Sequence, residues 1–106
     1  MKKEIADEVA NVRWQTARVA KTREGVEKDK FIRALRTSLN NAVTRLAVLS
    51  MSYNINDDSK KDDRDNANII NNIMIDFDRI YNMIDNEDER DIGIAELVKK
   101  LVPSRI

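Results

Sequence analysis

The residues that most enzymes use for acid–base and nucleophilic chemistry are scarce in this chain of 106 residues, which contains no His and no Cys. The commonest general base, the commonest metal ligand and the most reactive nucleophile are therefore missing. A serine activated by a lysine remains formally possible, but the serines lie in no catalytic motif: Ser38, Ser50, Ser52, Ser59 and Ser104. We predict that the protein is not an enzyme and that it needs no cofactor.

Acidic residues are the remaining side chains that could hold a metal ion. Residues 54–65 are rich in Asp, but they lack the central Gly and the late Glu of a calcium-binding helix-loop-helix motif. Asp65, Asp76 and Asp78 do not repeat at the three- or four-residue spacing that would align carboxylates on one helical face. We predict no metal site, and a small helical enzyme that uses acidic residues and Mg²⁺ is the third hypothesis.

A basic cluster is the next feature that could bind a ligand, since Lys and Arg neutralise the phosphates of nucleic acids. Residues 1–53 hold 11 basic and 6 acidic residues, a net charge of +5, and residues 54–106 hold 8 and 13, a net charge of −5. We favour the interpretation that these halves attract each other within one bundle. The alternative function is nucleic-acid binding by the basic residues around the first predicted turn, although acidic residues are interspersed among them. These basic residues are Lys21, Arg23, Lys28, Lys30, Arg33 and Arg36.

Trp14 is the only tryptophan, and it falls outside the main apolar face of its predicted helix. It aligns instead with small residues, Ala6 or Ala10 and Ala17, and Arg13 and Arg18 flank it. This second stripe either packs on another helix of the same bundle, which we favour for a monomer, or binds a partner. Because Trp and Arg are enriched among binding hot spots, the candidate protein-binding residues are Arg13, Trp14, Ala17 and Arg18.

The elements that position these residues are predicted to be helices, because apolar residues recur at alternating spacings of three and four. The clearest apolar seam belongs to the second helix: Ile32, Leu35, Leu39, Ala42, Leu46, Leu49 and Tyr53. We predict an all-α fold, a single domain over residues 1–106 that forms an elongated, mostly antiparallel bundle of three long helices and a short C-terminal one. The predicted ranges are 2–24, 29–53, 63–85 and 88–102, with a polar linker over 54–63.

The predicted ends of these helices depend on a few residues. Gly25 should end the first helix, and Pro103 should end the fourth. The alternative is a single helix that continues through Gly25, because one interior Gly costs only about 1 kcal/mol. The first helix should bury least within the bundle, because Thr16 and Arg23 occupy positions on its seam. Its outer face would then be the surface most available to a partner.

The function predicted from these patterns is that of a small adaptor, inhibitor or regulator that acts through a helical protein surface. The partner would be another protein or a second copy of this chain. No uninterrupted apolar run follows the N-terminus, so we expect no signal peptide, no membrane association and a cytoplasmic location. No small-molecule substrate is expected.

Overall fold

The structure is a computed structural model that describes residues 3–52, 61–86 and 88–100. These residues form four helices, α1 (Lys3–Lys21), α2 (Val26–Ser50), α3 (Lys61–Met83) and α4 (Arg90–Lys100), and the described ranges contain no strand. The prediction of an all-α bundle with three long helices and a short fourth helix is confirmed.

The helices form a ring in which α1 packs on α2, α2 on α3, α3 on α4 and α4 on α1. Neighbouring helices run antiparallel. Glu8 binds Arg45 near one end of the α1–α2 pair, and Gln15 contacts Ser38 further along it. The residue numbers of α2 therefore decrease where those of α1 increase, as in an antiparallel pair. The molecule measures 52 Å along its longest axis and 23 and 20 Å across, as expected for an elongated bundle.

Each long helix contributes one apolar seam to a shared core. The seam of α2 is buried from Ile32 to Leu46, as its spacing predicts. The expectation that α1 buries least was wrong, since α1 buries six residues, as many as the longer α2. Thr16 is accommodated there because its hydroxyl donates a hydrogen bond to the carbonyl of Val12, at 2.6 Å. Arg23 lies beyond the end of the helix.

The turn between α1 and α2 differs from the prediction at both ends. α1 ends at Lys21 rather than at residue 24. At this end the N–H of Thr22 donates a hydrogen bond to the carbonyl of Val19, at 3.3 Å, and the Thr22 hydroxyl donates one to the carbonyl of Arg18. Gly25 is the N-cap of α2, so it begins this helix rather than ending the previous one. Its φ of 149° lies in a region that essentially only glycine adopts, which explains the residue type at this position.

The other boundaries shift by two or three residues. α2 occupies 26–50 rather than 29–53. α3 occupies 61–83 rather than 63–85, and α4 begins at residue 90 rather than at residue 88. The predicted end of α4 at residue 102 lies outside the described residues. The chain leaves α3 through a tight turn in which the N–H of Asn86 bonds the carbonyl of Met83, at 3.0 Å. Most of the predicted linker and Pro103 lie outside the described residues. None of the described helices combines the length and the hydrophobicity needed to cross a bilayer.

Candidate protein-binding surface

Trp14 lies on the outer face of α1 with 60% of its surface exposed. The guanidinium carbon of Arg18 lies 4.6 Å from the centroid of the Trp14 ring and 4.1 Å from that of Phe31. Trp14 and Arg18 meet because residues four apart share a helical face, and Phe31 reaches Arg18 from the early part of α2. We call these three side chains the Trp14 stack.

The Trp14 stack connects an exposed ring to the hydrophobic core. Phe31 is half-buried and packs against the core residues. The Nε of Arg18 is buried and has no hydrogen-bond partner among the described residues, and the guanidinium lies over both rings. Each such cation–π contact is worth roughly 0.5–2 kcal/mol. A contact of this strength favours the indole orientations that keep it, which lowers the entropy that a partner would have to remove on binding.

The other predicted binding residues, Arg13 and Ala17, are both exposed. The interpretation that we favoured for a monomer, in which the Trp14 stripe packs on another helix of the bundle, was therefore wrong. Exposed positions on α1 instead follow a spacing of four and three, which is also the spacing of helix-packing seams. We call this set the α1 outer stripe: Lys3, Asp7, Ala10, Trp14, Ala17 and Lys21.

The basic cluster does not form one continuous surface. Lys28 is only 1% exposed and forms ion pairs with Glu24 and Asp91. Arg36 bonds Asp85 and lies 5.7 Å from the centroid of the Tyr81 ring. The hydrogen bond from Arg36 to Asp85 raises the pKa of the guanidinium above its usual range.

The remaining members of the basic cluster are exposed. None of the side chains that the structure describes forms an ion pair with these four residues, which are Lys21, Arg23, Lys30 and Arg33. They are the predicted nucleic-acid-binding residues that the fold leaves available.

A charged cluster at the end of the bundle is a feature that sequence reasoning missed. Arg90 bonds Glu24 at 2.7 Å, and Lys28 lies between Glu24 and Asp91, so α4 is joined to the α1–α2 turn by charged side chains. Lys28 stands four residues before Ile32, in the register of the α2 apolar seam. That register was the signal that could have identified Lys28 as buried. The cluster is shared among four charged residues that pair with one another, which is typical of a structural element.

Carboxylate groupings and an open groove are the remaining surface features of the described residues. Within the described ranges, no three or more Asp or Glu residues are grouped so that they could hold a metal ion. A groove between α2 and α3 is open to solvent and lined mainly by apolar side chains, including Val43, Met74 and Tyr81. Comparison with family models, curated proteins and solved structures finds no match to this chain.

Proposed function

We propose that this protein is a non-enzymatic adaptor, inhibitor or regulator that binds another protein through helix α1. The observation that carries the proposal is the Trp14 stack, which holds an exposed indole in place on a well-supported helix. Tryptophans that become buried at an interface commonly contribute about 2 kcal/mol or more to binding. Because α1 is anchored by a fully buried inner seam, a partner can bind its outer face without unfolding the bundle.

Nucleic-acid binding through the basic cluster has less support. Lys28 and Arg36 are engaged in ion pairs within the fold, and the acidic residues Glu27 and Asp29 are exposed close to Lys30. The positive potential of this region is therefore weaker than six basic residues would suggest.

Affinity capture with three forms of the chain tests the proposal. The parent and an Ile92→Ala variant should retain the same protein from the native host, whereas Trp14→Ala should lose it. Ile92 is a suitable control because it is apolar and 70% exposed, but it lies on α4. A loss of about 2 kcal/mol corresponds to roughly 30-fold weaker binding. Circular dichroism should show equal helical content for all three forms. Capture that does not depend on Trp14 would contradict the proposal.

A further inference from the structure

We infer that the α1 outer stripe binds a second copy of this chain, with the two α1 helices antiparallel and a two-fold axis at Trp14. This inference rests on the proposed function and specifies its partner. A two-fold contact requires a surface that is complementary to itself. The charges and the side-chain sizes along the α1 outer stripe meet this requirement.

Two charged residues of the stripe, Asp7 and Lys21, lie symmetrically about Trp14 and are opposite in sign. Asp7 precedes Trp14 by seven residues and Lys21 follows it by seven, and both are exposed on the same face. Seven residues are nearly two helical turns, or about 10.5 Å. When two such helices pack antiparallel around Trp14, Asp7 of each copy faces Lys21 of the other at both ends. A parallel pair would bring Asp7 against Asp7 and Lys21 against Lys21.

The side chains around Trp14 also suit close packing. Ala10 and Ala17, on either side of Trp14 along the stripe, are exposed and small. Because helical side chains lean toward the N-terminus of their own helix, each Trp14 would lie over Ala17 of the antiparallel copy. The chain has a net charge of zero, so no long-range repulsion opposes association.

Charge reversal at the two ends of the stripe tests the inference by sedimentation velocity. Asp7→Lys and Lys21→Asp each replace two attractive contacts by two repulsive ones, and each should weaken self-association by roughly tenfold or more. The double variant Asp7→Lys/Lys21→Asp should associate like the parent. An equimolar mixture of the two single variants should form a mixed dimer, because the lysine introduced in one chain would then face the aspartate introduced in the other.

Matched controls separate this contact from a general effect of charge. Asp78→Lys on α3 and Lys99→Asp on α4 make the same charge changes at exposed positions. Both controls should dimerise like the parent.

Since Trp14 is the only tryptophan, its fluorescence emission should shift to shorter wavelength as the parent concentration rises, and it should not shift for the single variants.

Three results would overturn the inference: a parent that stays monomeric, single variants that associate as the parent does, or a double variant that stays dissociated. The two proposals fail separately. A monomeric parent that still captures a different host protein through Trp14 would remove the second copy as the partner and leave the proposed function. Capture that is independent of Trp14 would remove the proposed function itself.

Discussion

Lys28 and Trp14 occupy environments opposite to those that hydrophobicity alone would give them. Lys28 is 1% exposed and Trp14 is 60% exposed. The charge of Lys28 is tolerated because carboxylates of Glu24 and Asp91 accompany it, and removing one partner of a buried ion pair is usually more costly than removing both. The exposed indole is supported by its contact with Arg18. For both residues, the side chains in contact with them determine whether a buried or an exposed position is stable.

Asp91→Ala should destabilise the protein by about 2–3 kcal/mol, since it leaves the buried ammonium of Lys28 with only the exposed Glu24. Urea unfolding followed by circular dichroism measures this change. Combining Asp91→Ala with Lys28→Met should recover most of the loss, because no buried charge then lacks its partner. Asp29→Ala, at an exposed acid of α2, is the control and should change stability by no more than about 0.5 kcal/mol. Equal stability of Asp91→Ala and the parent would show that Lys28 does not depend on this pair.

The fold could be predicted at the scale of helices, because each seam is a local pattern that recurs over many residues. The seam from Ile32 to Leu46 is an example. The Trp14 stack and the Lys28 cluster could not be predicted in this way. Phe31 and Asp91 belong to other helices than Arg18 and Lys28 respectively, and the sequence alone does not say which residues of two helices meet. The exposure of Trp14 was similarly undetermined, because small neighbours suit either an internal or an external contact.

The middle of α2 is the part of the bundle most sensitive to a buried charge. Leu39 is 1% exposed at the centre of the seam, so Leu39→Asp should cost several kcal/mol and unfold most of the protein. Thermal melting followed by circular dichroism checks this expectation. Asn40→Asp introduces the same side chain at the exposed neighbouring position and should melt like the parent. If Leu39→Asp also melts like the parent, Leu39 is not packed in the core.

The start of α2 depends on a backbone conformation rather than on packing. Gly25 has a φ of 149°, and a Cβ added there would meet no atom within 4 Å. Gly25→Ala should therefore destabilise the protein through backbone strain alone, by about 1–3 kcal/mol. The midpoint of urea unfolding, at an unchanged slope, measures this effect. An Ala variant as stable as the parent would mean that the turn adopts a different conformation.

Charge is distributed unevenly over the whole molecule, and the fold uses part of this distribution internally. The basic residues Lys28 and Arg36 of α2 bind Asp91 and Asp85 beyond α3, as expected if the basic and acidic halves of the chain attract each other. These ion pairs reduce the charge that the basic half presents to solvent. The balance between internal pairing and exposed charge therefore determines whether a polyanion can bind.

Duplex DNA should bind only weakly at physiological salt, with a dissociation constant of about 10⁻⁴ to 10⁻⁶ M or weaker, because the exposed cations are few and acids lie among them. Fluorescence anisotropy with a labelled duplex at several salt concentrations measures the affinity and its salt dependence. The exposed members of the basic cluster are Lys21, Arg23, Lys30 and Arg33. Replacing these four residues by Ala should weaken DNA binding at low salt and flatten its salt dependence. Lys28 and Arg36 are kept because their ion pairs stabilise the fold. Trp14→Ala is the control and should leave DNA binding unchanged. Tight, sequence-dependent binding at physiological salt would instead make the basic cluster the functional surface and would displace the protein-binding role of α1.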